Sequence, residues 1–278
     1  MTIAILMQVN DGLVLATDSA STILATDEEG IDSATHVYFN ADKIFNLIKG
    51  LPVGCITWGN GSIGNASLAT IIKDFRNYYY EKNKNLINNG NIEIEDISLS
   101  FKDFIEKKIN NAEGKVDLIG FVIAGYSKNK SNPEIFQLEF IEKEVKGPKQ
   151  INKEDPIAIS WYGDTEITTR LILGMSSKMP LLLKDAGLNK EKSDEIIQLI
   201  HENMQLPIGV PAMPIQDAID FIEFLVDFNC KMSKFMSGAQ TIGGPIDLAV
   251  ITKHESYKWI YRKHYYEEKL NRGNINDK

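Results

Sequence analysis

Short runs of aliphatic and β-branched residues alternate along this chain with longer stretches in which apolar residues recur every three or four positions. The first run, Thr2 to Val9, is almost wholly apolar. Asn10-Asp11-Gly12 is a hairpin turn signal, and Leu13 to Thr17 runs back. A polar stretch from Asp18 to Asp32 precedes a second pair, in which Lys43 to Ile48 and Val53 to Trp58 read as strands about the turn Lys49-Gly50-Leu51-Pro52. The period then changes. From Ser67 to about Glu81, Leu68, Ile71, Ile72 and Phe75 fall on one helical face; from Ser98 to Asn111, Phe101, Phe104, Ile105 and Ile109 do the same. Between them, Lys82 to Asp96 is polar and Asn-rich and reads as a surface loop. Strand patterns return at Val116 to Ala124, Glu134 to Phe140 and Ile157 to Tyr162. Helical patterns follow at about 165–174, 190–204 and Pro214 to Met236, the longer two separated by Pro207, Pro211 and Pro214. Ile246 to Ile251 and Tyr257 to Tyr261 close the series as strands.

Consecutive hairpins with helices inserted between them predict an α+β chain, with antiparallel sheets stacked inside and helices outside. No repeat or low-complexity linker divides it, so residues 1–278 read as one domain ending in a polar tail from about 263.

Composition narrows the function classes. Apolar residues make up 43% of the 278 and charged ones 24%, which excludes a wholly disordered or collagen-like chain. Thirty basic against 38 acidic residues leave a formal charge of -8, the wrong sign for a general phosphate-backbone binder, so no nucleic-acid partner is expected. Two cysteines, Cys55 and Cys230, are too few for a disulfide scaffold and fit a reducing compartment. The opening apolar run has no basic leader, and no stretch approaches the ~18 apolar residues of a membrane span. The expectation is a cytoplasmic protein without a membrane partner.

Gly59-Asn60-Gly61-Ser62-Ile63-Gly64 matches G-x-G-x-x-G between a strand and a helix, a dinucleotide-binding pattern. Its strand follows hairpins and not a βαβ crossover, which argues against that use. The same glycine loop comes near a serine-hydrolase elbow but lacks the first glycine. His36, His201, His254 and His264 form no zinc-spaced cluster, so neither metal nor cofactor is expected. What remains is a glycine loop exposing backbone N–H groups, which also describes an oxyanion hole.

Removal of Met1 would leave Thr2 first, a residue carrying a hydroxyl nucleophile and, in its own α-amine, a base of pKa ~7.7–8. Behind it come Gly12-Leu13-Val14-Leu15-Ala16-Thr17-Asp18-Ser19, the strand Lys43-Ile44-Phe45, the glycine loop at Gly59, and late Gly243-Gly244-Pro245-Ile246-Asp247-Leu248-Ala249-Val250-Ile251-Thr252. This order resembles the proteasome β-subunit family of N-terminal nucleophile hydrolases, including its bacterial relatives, over most of residues 2–75 and 240–253. The resemblance implies a four-layer αββα sandwich and a threonine-type amide hydrolase, most naturally a peptidase. It implies Thr2 as nucleophile, Asp18 as the acid that orients Lys43, Lys43 as the cation beside Thr2, Gly59 N–H as oxyanion donor and Thr22 as a backbone partner for an extended peptide. One oxyanion donor is typically worth ~3 kcal/mol of barrier. It also implies a homo-oligomer, a ring or helical assembly, taking peptide or protein substrates, with any ATPase partner on a separate chain.

The chain departs from the family pattern at three places. More residues than usual separate Asp18 from Lys43, Trp58 precedes the glycine where the family usually carries a small residue and is expected to narrow the pocket, and Ala239 to Gly244 lacks the family's acid and serine. Asp164 and Ser237 are the candidate substitutes. These departures keep two other readings open: an inactive scaffold or assembly subunit of the same fold, and a hydrolase of a small non-peptide amide.

Overall fold

A computed structural model of the protein describes residues 2–26, 32–113, 116–142, 144–153, 159–210 and 212–263. Strands β1 (Ile3–Val9) and β2 (Gly12–Thr17) form the opening hairpin; β3 (Ser21–Thr26) and β4 (Asp32–Tyr38) form a separate two-stranded ribbon; β5 (Ile44–Asn46) and β6 (Val53–Gly59) form the next hairpin. Two short strands, β7 (Ser62–Ile63) and β8 (Ala66–Ser67), lead into helices α1 (Leu68–Asn88) and α2 (Ile94–Asn110). Strands β9 (Leu118–Gly125), β10 (Glu134–Ile141), β11 (Glu144–Gln150) and β12 (Ile159–Gly163) come next. Helices α3 (Glu166–Leu173), α4 (Met179–Asp185), α5 (Lys190–Met204) and α6 (Ile215–Ser233) precede the closing hairpin of β13 (Asp247–Thr252) and β14 (Ser256–Tyr261).

The main sheets are antiparallel, with orders β12-β1-β2-β13-β14 and β11-β10-β9-β6-β5. They stack face to face. Ala4, Leu6, Leu13 and Leu15 of one meet Ile56, Trp58, Val122 and Ala124 of the other. The alternate residues Ile3, Ile5, Met7, Val14 and Ala16 turn outward under α6. On the second sheet Cys55, Phe121 and Ile123 turn outward under α1 and α2, where Phe75, Phe101 and Phe121 meet edge to face with centroids 4.9 Å apart. The result is the four-layer αββα sandwich. Because both faces of each sheet are covered, the central strands read as unbroken apolar runs and not as alternation.

Several expectations change. Residues 18–32, read as polar connection, contain β3, whose partner β4 follows; Ile23 and Tyr38 are 48% and 57% exposed, so this ribbon buries too little apolar surface to show a period of two. The α1 helix continues through residues read as loop as far as Asn88, with one non-helical residue at Asn83, and α2 starts at Ile94 instead of Ser98. The edge strand β11 and the short α4 were not foreseen; α4 has no buried residue to give it a face.

Trp58 is not a pocket wall. Its indole is buried between the sheets over Gly120, where a Cβ would overlap the ring, and it stacks on Tyr162 with centroids 4.3 Å apart. Strand alternation sends Trp58 inward and leaves Gly59 exposed.

Candidate functional site

The site stands where β1 begins and β2 ends. A hairpin brings those two points together, so Asp18 lands beside Thr2 and Ile3 although it lies fifteen residues beyond Ile3. Asp18 has no exposed surface. Its Oδ1 accepts the N–H of Ile3 at 3.1 Å and the ammonium of Lys43 at 2.6 Å; its Oδ2 accepts the N–H groups of Ala20 and Gly243, both at 3.0 Å. Four donors on one buried carboxylate satisfy the acceptor requirement that burial imposes. One oxygen thus holds both the peptide that follows Thr2 and the Lys43 ammonium.

Lys43 reaches this position from the other sheet. It directly precedes β5, and its carbonyl accepts the N–H of Thr57 at 3.0 Å. Burial pulls its pKa below that of a free lysine, outweighing the Asp18 carboxylate, which pulls the other way. Cys230 of α6 lies in the same electrostatic neighbourhood; burial pushes its thiol up to about 12, so it stays neutral near pH 7.

Thr2 itself is only 5% exposed. Its carbonyl accepts the N–H of Asp164 at 2.7 Å, and Gly163, at φ +87°, sits so close that a Cβ there would run into the Thr2 carbonyl. Gly163 is therefore required twice, for its left-handed backbone and for the approach. Gly59 ends β6 at φ +89°, two residues beyond the Thr57–Lys43 bond, a rise of about 7 Å along the strand. The Gly59–Gly64 loop connects β6, antiparallel to both its neighbours, to α1; no parallel crossover of the dinucleotide-binding kind is present at it.

Thr22 lies on β3, in register with Val37 of β4, and Gly61 of the glycine loop lies near Ser21. The substitutes separate: Asp164 stands against Thr2 through its backbone, whereas Ser237 is exposed past the end of α6. His36 is on the exposed ribbon, His201 on α5 and His254 on the β13–β14 turn; His264 lies outside the described residues. Among the described residues no group of His, Cys, Asp or Glu has the arrangement of a metal site. No helix among them is long and apolar enough to cross a membrane. An open groove of about 590 Å³ at the far end of β1, lined by Gln8, Glu134 and Asn152 among others, is remote from Thr2.

Sequence reasoning missed the supports. Ser19 Oγ donates to the Pro245 carbonyl at 2.6 Å, and the Ser19 N–H donates to the Gly243 carbonyl at 2.9 Å. Lys263, read as the start of a solvated tail, is instead largely covered at its side chain, donating to Ser19 Oγ at 2.8 Å and ion-paired with Asp247. The late Gly-Gly-Pro-Ile-Asp run was the available signal for Gly243 and Asp247; nothing local marks Lys263.

No protein-family model matches the chain. A curated protein, the inositol-3-phosphate synthase of Dictyostelium discoideum, is 26% identical over 174 residues, which span 62% of this chain but 30% of that protein's length. Among solved structures, the Gly-1 mutant of Anbu from Hyphomicrobium sp. strain MC1 is similar at a TM-score of 0.53 and 14% identity, covering 98% of this chain and 90% of that one. Anbu from Yersinia bercovieri, described as an ancestral beta-subunit, gives 0.49 and 13%, covering 95% and 89%. The first of these structural likenesses shows a shared fold, that of the αββα sandwich described above.

Proposed function

We propose that the protein is an N-terminal threonine amide hydrolase, a peptidase of the proteasome-like kind, formed as one domain that assembles with copies of itself. The observation that carries the reading is the single buried Asp18 oxygen shared by the Ile3 N–H and the Lys43 ammonium. It fixes a positive charge beside the residue that becomes N-terminal when Met1 is removed. In the proposed reaction Thr2 Oγ attacks the substrate carbonyl while its proton passes to the freed α-amine. The oxyanion forms towards the Gly59 N–H. Collapse breaks the C–N bond, the leaving amine takes the proton, and water then releases the acyl group from Oγ. Lys43 lowers the proton affinity of the hydroxyl and amine; Asp18 holds Lys43 in place. An extended peptide would lie along β3 at Thr22, as an added strand. Any ATPase that feeds the site would be another chain.

A second reading, an inactive scaffold subunit, is favoured by two observations. Residues 239–244 offer neither acid nor serine, and Thr2 is almost wholly buried. Intact mass before and after treatment with a peptide epoxyketone separates the two, because that warhead closes its ring only on a free amine and hydroxyl of one residue. Loss of Met1 with a single adduct, absent in Thr2→Ala, is the expected result. Retention of Met1 in the purified protein overturns the hydrolase reading in favour of the scaffold. A panel of peptide and small-amide substrates then decides whether the amide cleaved is a peptide.

A further inference from the structure

A second charged cluster lies directly behind the Asp18–Lys43 pair. Lys263, two residues past the end of β14, is 9% exposed at its side chain, and its ammonium pairs with Asp247 of β13, itself 2% exposed. The same ammonium donates to Ser19 Oγ at 2.8 Å and stands 3.6 Å from Asp42 Oδ1. The backbone N–H of Lys263 donates to the other Asp247 oxygen at 3.0 Å. Ser19 and Asp42 are the residues next to Asp18 and Lys43, so Lys263 touches the neighbour of each member of the pair. Ser19 is in turn bonded on three sides: to Pro245 and Gly243 as donor, and to the Ala41 N–H at 2.9 Å as acceptor.

A surface lysine at a strand end gains little from such contacts. A buried one loses its hydration and is retained only where each of its donors is used. Here two of the contacts go to Asp247 and Asp42, and one donor holds Ser19 Oγ, in the Asp18-Ser19-Ala20 segment that carries the Asp18 carboxylate. We propose that Lys263 is a positioning residue for the Asp18–Lys43 pair, clamping the 18–20 turn through Ser19 and setting a second fixed positive charge behind Lys43. This inference rests on reading that pair as the groups flanking the Thr2 nucleophile. The electrostatic direction agrees: the Lys263 charge adds to burial in pulling the Lys43 pKa down. The groups facing Lys43 are Asp18 from the end of β2, Lys263 from beyond β14 and Cys230 from α6; the Cys230 thiol, at about 12, stays protonated while Lys43 titrates.

The test follows the titration of Lys43 in the full-length protein labelled with 13C-lysine, its Cε signal assigned by its loss in Lys43→Arg. Lys263→Met removes the clamp and its charge. Lys263→Met combined with Asp247→Asn removes both charges of the buried pair, and serves if the single variant fails to fold. Lys263→Arg keeps the charge. The Lys43 midpoint is expected to rise by about half a pH unit in Lys263→Met, to rise by less in the double variant, and to stay near wild type in Lys263→Arg. A midpoint unchanged in every folded variant lacking the Lys263 charge overturns the proposal, leaving Lys263 a structural residue. The readout needs no turnover. Wild type that retains Met1 therefore refutes the hydrolase reading, whereas an unchanged midpoint refutes this one.

Discussion

Asp18 and Lys43 form one ion pair, yet their removal should cost very different amounts. Asp18 receives four donors, and three of them are backbone N–H groups that no side-chain substitution removes. In Asp18→Asn only one oxygen can accept, and the new amide nitrogen faces donors on the other side. Two donors lose their acceptor at ~1–3 kcal/mol each. A buried Lys43 charge is left unpaired besides, and breaking a buried pair from one side typically costs ~3–5 kcal/mol in total. In Lys43→Met the buried ammonium and its desolvation disappear together, and the Asp18 carboxylate keeps three backbone N–H donors. The expected cost is ~1–2 kcal/mol. Against a typical total stability of ~5–15 kcal/mol the difference is large. Urea unfolding followed by circular dichroism at pH 7 should therefore find Asp18→Asn at least ~2 kcal/mol less stable than Lys43→Met. In the double variant, Lys43→Met should restore part of the stability lost in Asp18→Asn. If Asp18→Asn alone does not fold, recovery of the fold in the double variant is the same result. Equal single costs, or additive effects in the double, would refute the argument that the backbone donors, and not Lys43, anchor this carboxylate.

Three further outcomes test other contacts. Gly120→Ala drives a Cβ into the Trp58 indole and should cost ~1–3 kcal/mol in urea unfolding, with partial recovery when Trp58→Leu is added. Gly163→Ala forces a side chain to φ +87° against the Thr2 carbonyl. It should slow adduct formation at Thr2 by ~10-fold or more as the nucleophile is displaced, read as the rate of mass gain under epoxyketone. Glu166 accepts from the Ser177 hydroxyl and N–H, the Ser176 hydroxyl and Arg170, bonds led by the Ser177 hydroxyl that hold its carboxyl down to about 2. A depressed carboxyl stabilises the fold above its unfolded pKa and loses that contribution as pH falls through the folded one. Wild type should exceed Glu166→Gln by ~1 kcal/mol from pH 5 to 7, and the gap should close between about pH 4.5 and pH 2 in pH-dependent urea unfolding.

The sequence by itself determined the elements that bury a continuous apolar surface. The hairpin of β1 and β2, the strands β6, β9, β10 and β13, and the helical faces of α1, α2 and α6 were legible because burial on one or both faces writes a run or a period into the chain. It also placed Thr2, Asp18 and Lys43 in an order suggestive of a site. The ribbon of β3 and β4, the edge strand β11 and the helix α4 were not legible, since exposed elements leave polar residues with no enforced period. Tertiary structure decided the rest. Asp18 meets Gly243 across 225 positions and Lys43 across 25, and Lys263, polar and near the end of the chain, proves to be largely covered at its side chain, against Ser19 across 244. A buried charge looks in sequence like any solvated one; only the pairing of β14 with β13, which in turn pairs with β2, takes the Lys263 ammonium out of water and gives it partners.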